Sequence, residues 1–331
     1  MVTIALDAMG GDYAPSEIVR GALEACHQDR SLEVILVGDE KRIKRDIRKP
    51  LPNLSILHTD EVVEMHESPS QALKKKKKAS IILAANLVKN GEAQAVLSAG
   101  NTGAILETSV LTLGRLKGIR RPAIATSWPT HKGVALLLDS GANANNKPEH
   151  LVQFALMGSV FVEKIRGITS PAIGLLNIGE EPNKGPSEIQ EAFQMLQKSK
   201  LNFIGNVETT GFLAGEVDVA VCDGFVGNMV LKTAEAVSEF LFDVIKKELR
   251  RRFHTKVLSG FLKPTFRSIG KRIDYIEYGA APFLGVNGIC LKSHGKSKAK
   301  AIKNAIFTAD QMVKIKILEE MSTLVEEVKV E

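Results

Sequence analysis

Glycine, asparagine and threonine gathered in short turns behind apolar runs are the residues on which this chain could hold a polar, anionic ligand. Four such clusters stand at Asp7-Ala-Met-Gly-Gly-Asp12, Ser98-Ala-Gly-Asn-Thr-Gly103, Asp139-Ser-Gly-Ala-Asn143 and Asp223-Gly-Phe-Val-Gly-Asn228. Glycine accepts φ > 0 and lets the backbone approach a ligand, Asn and Thr add neutral donors, and a helix start presents free N–H groups. One such cluster is an ordinary turn. Four of them, each following a strand-like run, point to a shared role.

The elements that must carry these turns are legible in the hydrophobic pattern. Runs rich in Val, Ile and Leu occur at 2–6, 34–37, 54–57, 95–97, 134–138, 172–176, 202–204 and 217–221, separated by segments of helical period. That alternation predicts a three-layer α/β/α fold with a mostly parallel sheet, and places ligands at strand C-termini. Pro15-Ser-Glu-Ile, Lys147-Pro-Glu-His-Leu and Gly185-Pro-Ser-Glu-Ile read as helix starts, with Pro near the first turn followed by an acid. The longest helical pattern begins after Gly227 and runs through Leu249, so a basic amphipathic segment at about 236–275 is expected to project from the body. Residues 297–331 are again helical in pattern. With no repeat and no linker, 1–331 reads as one domain.

Composition narrows the chemistry. The 331 residues are 44% hydrophobic and carry a net charge of +6. Cys26, Cys222 and Cys290 form no Cys-x-x-Cys pair, which argues against a disulfide framework or a thiolate metal site and suits a reducing cytoplasm. The first residues enter a strand-like run without signal-peptide character, and no apolar stretch reaches the roughly 18 residues of a membrane span. A P-loop, a G-x-G-x-x-G turn after the first strand, a G-x-S-x-G elbow and an H-E-x-x-H pair are all missing, which weakens ATP, NAD, triad and zinc readings. His66, His150 and His294 sit near loops or helix starts and read as structural, and Cys222, beside the Asp223 cluster, reads as a packed core thiol.

Taken in order, the clusters resemble the phosphate acyltransferases of bacterial phospholipid synthesis. The resemblance extends to Gly141-Ala-Asn143 with Lys147-Pro-Glu-His-Leu151, Gly174-Leu-Leu-Asn-Ile-Gly-Glu180, Gly205-Asn-Val-Glu208, Cys222 to Asn228 with Leu231-Lys-Thr233, and Tyr278-Gly-Ala-Ala-Pro282. It implies a fold similar to isocitrate and isopropylmalate dehydrogenases, a homodimer, no cofactor and no metal. It also implies a reaction in which inorganic phosphate attacks the thioester of acyl-acyl carrier protein to give acyl phosphate. Gly211, Ala280 and Ser140 depart from the family pattern, which usually has an acid, a glycine and an apolar residue there.

Phosphorolysis of a thioester needs a phosphate cradle, donors for the carbonyl oxygen and room for the acyl chain, more than a base. Phosphate binding is therefore expected at the N–H groups of Gly10, Gly11, Gly100 and Gly103 with the side chains of Asn101, Thr102 and Lys184. Asn143, Asn228 and Lys232 are the candidates for the acyl carbonyl, the last two sharing a helix face at i,i+4. Asp7, Asp12, Glu180 and Asp223 repel phosphate and are expected to orient donors or fix turns. Basic surface suits an acidic carrier. Lys74 to Lys78 is one candidate dock, with a solvated lysine run as the alternative. The second patch, Lys246 to Arg272, carries Leu258, Phe261, Leu262, Phe266 and Ile269 among its basic residues, as suits either an anionic membrane surface or a dimer interface. The resemblance favours the membrane, because the product passes to a membrane glycerol-phosphate acyltransferase. Nucleic acid is not expected as a partner. A phosphotransacetylase-like use of acyl-coenzyme A is the alternative.

Overall fold

The computed structural model describes residues 1–251, 264–266, 268–270 and 280–329. In chain order its strands are β1 (Val2–Asp7), β2 (Leu32–Gly38), β3 (Leu54–His58), β4 (Ala95–Ser98), β5 (Ala123–Thr130), β6 (Gly133–Leu138), β7 (Ile173–Leu176), β8 (Phe203–Val207), β9 (Val219–Val221), β10 (Ala281–Leu284) and β11 (Ile289–Lys292). The helices are α1 (Ser16–Gln28), α2 (Glu40–Asp46), α3 (Pro69–Lys75), α4 (Ser80–Lys89), α5 (Thr102–Leu113), α6 (Pro148–Arg166), α7 (Ser187–Gln197), α8 (Thr209–Ala214), α9 (Gly224–Arg251), α10 (Ala299–Lys314) and α11 (Ile317–Lys329).

Alternation along the strands shows why three layers form. Ile4 and Leu6 of β1, Leu97 of β4, Leu136 and Leu138 of β6 and Leu291 of β11 enter one large core, built with α1, α6, α7, α10 and α11. Their neighbours point the other way. Ala5, Val96 and Cys290 pack with Ala84 of α4 and Ile105 of α5, while Leu137 and Ala220 pack with Phe212 of α8 and Leu231 of α9. The second face therefore holds two separate cores, and the space between them is where the site lies. Strands covered on both faces must be apolar at successive positions, as these runs are. Close packing is also written locally: a Cβ at Gly21 of α1 would stand 2.7 Å from Ala299 O of α10.

All eleven strands join one sheet in the order β3-β2-β1-β4-β11-β10-β5-β6-β9-β7-β8. β3, β2, β1, β4 and β11 are parallel, β10 and β5 reverse in turn, and β6, β9, β7 and β8 are parallel again but opposite to the first group. The mostly parallel α/β architecture is as expected. β5, β10 and β11 were not among the predicted strands: β5 carries Thr126, Ser127 and Pro129 among its apolar residues, and β10 and β11 have four residues each. The consequence is that strand ends of the two groups point to opposite edges, so one row of C-termini does not gather all four clusters. All three expected helix starts are realised in α1, α6 and α7. The long helix expected after Gly227 is α9, which starts at Gly224. Of the apolar stripe in the second basic patch, Leu258, Phe261 and Leu262 lie outside the described residues.

Candidate active site

The first two clusters build a single buried knot. Asp7, at the end of β1, accepts from Ser98 Oγ at 2.6 Å and from Met9 N at 3.1 Å, and Ser98 Oγ accepts in turn from Gly100 N at 3.0 Å. Burial raises the Asp7 carboxyl above its ordinary range, against the lowering effect of these donors. Gly10 is required there, since a Cβ would meet Asp7 Oδ2 and Gly100 N at 2.7 Å. Asp12 N donates to Gly295 O at 2.9 Å, which ties the knot to the turn after β11.

The third and fourth clusters are locked through Asp139. Its Oδ1 accepts from Ile124 N, Gly141 N and Ala142 N, and its Oδ2 from Asn143 N and Nδ2, over 2.8–3.1 Å. Asn143 O accepts from Gly224 N at 2.8 Å, and a Cβ at Gly227 would collide with Asp139 O. Glycines at these two positions let the start of α9 lie directly on the 139–143 loop. Asp223 Oδ1 accepts from Val226 N at 2.7 Å in the first turn of α9. Cys222 is buried in this seam, and burial, then Asp139 and Asp223, push its thiol well up, consistent with a packed core role.

Between these two assemblies lies a cavity of about 260 Å³. Thr102 enters from the N-terminus of α5, Ile124, Thr126 and Ser127 from β5, and Ser140 and Gly141 from the loop after β6. Asn228, Leu231, Lys232 and Glu235 come from α9, and Ala280, Ala281, Lys292 and His294 complete the lining. Of the expected residues, Thr102, Asn228 and Lys232 meet here, and the i,i+4 pairing of the last two puts both on the cavity. Ser140 and Ala280 line it too. Ser140 Oγ pairs with Thr126 Oγ1 at 2.6 Å.

Other expected residues are occupied elsewhere. The Asn143 amide donates to Pro122 O and Asp139, so it braces its loop and is not aimed at the cavity. The Asn101 side chain caps Ala104 N and donates to Met65 O and Glu67 O, each at 3.0 Å. Gly10, Gly11, Asp12 and Gly100 form the knot behind the cavity, and Gly103 packs on Pro69. Glu180 and Lys184 are exposed in the loop after β7, where Lys184 Nζ lies 3.9 Å from Glu181. None of these lines the cavity.

Lys292 and His294 were missed as lining residues, as were Thr126, Ser127 and Glu235. Lys292 ends β11 and His294 follows two residues later, in a Lys-Ser-His-Gly turn that is itself a fifth polar cluster behind an apolar run. Lys292 is half-buried. Burial, then the like charge of Lys232, lowers its ammonium below the ordinary lysine value, and Glu235 opposes them. His294 Nδ1 accepts from Lys296 N, which places its proton on Nε2, 3.8 Å from Glu235 Oε1. Burial, then Lys292, lowers the imidazole too, keeping it neutral at pH 7. Glu235 also lies 3.9 Å from Lys232. Two ammonium groups, one carboxylate and a neutral imidazole thus leave the cavity net positive, with the N-terminus of α5 adding to the field. Among the described residues, no three His, Cys, Asp or Glu side chains gather as metal ligands.

The architecture is a three-layer α/β/α fold with a mostly parallel sheet, shared with solved structures. The backbone is similar to a phosphotransacetylase from Streptococcus pyogenes, with a TM-score of 0.65 and 17% identity over 95% of this chain and 94% of that one. A branched-chain phosphotransacylase from Enterococcus faecalis V583 gives 0.59, with 16% identity over 95% and 99%. These likenesses concern the fold. The sequence carries the family: the profile of the family described as Fatty acid synthesis protein matches residues 2–320. Phosphate acyltransferases from Pelotomaculum thermopropionicum and Desulfitobacterium hafniense (strain Y51) are 48% and 51% identical, over 99% and 97% of this chain and 96% of each relative. The chain belongs to this phosphate acyltransferase family.

Proposed function

We propose that the protein makes acyl phosphate, moving an acyl group from the thioester of acyl carrier protein to inorganic phosphate. The observation that carries the reading is the convergence of Lys232, Lys292, Asn228 and the N-terminus of α5 on one small, net-positive cavity. At about 260 Å³ it falls below the roughly 300–1,000 Å³ of pockets that engulf whole organic ligands, and suits the reacting head groups, with the acyl chain extending out. Phosphate lies between the two ammonium groups and the α5 N-terminus. One of its oxygens attacks the carbonyl carbon, and the Asn228 amide donates to the carbonyl oxygen as it becomes an oxyanion. The tetrahedral species then expels sulfur as the carbon–sulfur bond breaks, and the thiolate takes a proton from water. An anionic nucleophile and a stable leaving group make position and charge the main requirements.

Release of carrier thiol from acyl-acyl carrier protein, with and without phosphate, tests the reading, with hydroxylamine trapping the acyl phosphate. Thiol release that ignores phosphate would refute it. The likeness to the phosphotransacetylase fold supports a second reading, in which acyl-coenzyme A is the donor, so that thioester forms the parallel arm.

The same reading makes the protein a cytoplasmic homodimer that touches an anionic membrane surface, where a membrane glycerol-phosphate acyltransferase would consume the product. Among the described residues, no helix is long and apolar enough to cross a membrane. The dimer is supported by Phe225, Met229, Phe240 and Leu241, all exposed on α9. Membrane contact is supported by the basic residues from Lys246 onward. Sedimentation velocity and vesicle flotation check the two.

A further inference from the structure

We propose that the exposed lysines at the end of α3, namely Lys74, Lys75, Lys77 and Lys78, are the docking surface for the acidic carrier that delivers the acyl group. The inference rests on the proposed function above and assigns that function's macromolecular partner to a place on the surface.

The five-lysine run divides in two. Lys76 turns inward, where its Nζ donates to Glu67 Oε1 and Oε2 at 2.8 and 2.6 Å and to Val62 O at 2.6 Å. The other four are exposed, and no carboxylate among the described residues lies within ion-pair distance of their ammonium groups. Elsewhere on the surface, Lys44, Lys164 and Lys314 each hold an acid at 2.5–2.8 Å. A block of four unpartnered cations in five residues repels itself and is stabilised by an acidic surface.

Position supports the assignment as much as charge does. The segment pinned by the Lys76–Glu67 pair supplies Met65 O and Glu67 O, which accept from Asn101 Nδ2. Asn101 caps α5, and the next residue, Thr102, lines the cavity. α3 itself packs on α5, with Pro69 against Gly103. A carrier seated on these lysines would stand beside the cavity wall, near enough for a flexible thioester arm to enter.

The test is the variant Lys74→Gln/Lys75→Gln/Lys77→Gln/Lys78→Gln, which leaves Lys76 and the cavity untouched. Exposed ion pairs are individually weak, so losing four predicts a KM for acyl-acyl carrier protein raised roughly tenfold. The wild-type KM should climb with ionic strength and the variant's should climb much less. kcat, KM for phosphate and turnover of a carrier-free acyl-pantetheine should stay within about twofold, the spread expected of surface changes. An unchanged carrier KM overturns the docking surface while leaving the reaction standing. An equal loss with acyl-pantetheine overturns it too, as damage to the cavity. Loss of binding to anionic phospholipid vesicles with an unchanged carrier KM would assign the patch to a membrane instead. A wild-type protein that ignores acyl-acyl carrier protein and turns over only small thioesters would sink the underlying reading itself.

Discussion

Replacing Lys292 by methionine removes one positive charge from the cavity and keeps an unbranched side chain of similar reach. In the phosphate complex that ammonium is assigned a charged hydrogen bond, a class of interaction that contributes about 1.5–3 kcal/mol. At about 1.4 kcal/mol per factor of ten, the substitution should weaken phosphate roughly 10- to 150-fold. Stability should move in the opposite direction. In the free protein Lys292 donates to no acceptor among the described residues, burial disfavours its charge, and Lys232 disfavours it further. Glu235 offsets that cost only in part, so removing this half-buried cation should let Tm hold or rise by about 1–3 °C for a chain of this size. Phosphate at tenfold its Kd should stabilise the wild type by about 1.4 kcal/mol, and the same concentration should do little for the variant. Initial rates across phosphate concentrations, paired with thermal melts with and without phosphate, read both effects. A variant whose KM for phosphate stays within twofold of wild type, and which phosphate stabilises equally, would refute the assignment.

Asn228→Ala should lower kcat by about 100-fold with little change in KM for phosphate, because an oxyanion donor acts on the transition state; a change confined to KM would move Asn228 to substrate binding. On the proposed assignment the lowered ammonium of Lys292 would bind phosphate in its charged form, so kcat/KM for phosphate should fall as pH rises, at a lower pH than an exposed lysine would set. Lys232→Gln removes the nearby like charge and should move that alkaline limb to higher pH, whereas a downward shift would contradict the electrostatic coupling. Gly227→Ala should destabilise the protein by about 1–3 kcal/mol, measured by urea unfolding, because the new methyl group meets the backbone oxygen of Asp139, a residue whose carboxylate four backbone N–H groups and the Asn143 amide already hold.

Most of the fold was legible because strands buried on both faces must be apolar throughout. β1, β4 and β6 announce themselves in that way. β5 and β11 did not, because at the centre of the sheet the second face is interrupted by the cavity and Thr126 and Lys292 stand there, while β10 is apolar but only four residues long. Thr126 of β5 stands opposite Leu137, a core residue of β6, and Lys292 of β11 stands beside Ser98 of β4. The same feature hid the site: Lys292 is not singled out by the sequence and His294 reads as structural, since the run before them is only Ile289-Cys-Leu291. Asn228 and Lys232 were readable from helical spacing. Asn143 and Asn101 were over-read, because an asparagine at a turn donates to its own backbone surroundings as readily as to a ligand.

The reversal of strand direction at β10 and β5 explains why the site takes this form. In a sheet parallel throughout, loops at one edge would gather every cluster. Here the Asp7 and Ser98 turns close one group of strands and the Asp139 and Asp223 turns close the other, so no single edge can hold them all. They approach each other over the second face instead, where β5 and β10 separate the two smaller cores. Each knot then has a mechanical role, with Asp7 fixing the start of α5 through Ser98 and Gly100, and Asp139 fixing the start of α9. The helices bring Thr102, Asn228 and Lys232 to the cavity, and Lys292 reaches it from the end of β11. The glycine turns are therefore the frame that aims two helix starts and one strand end at a shared cavity, and substitutions in the turns should act on stability first and on catalysis through it.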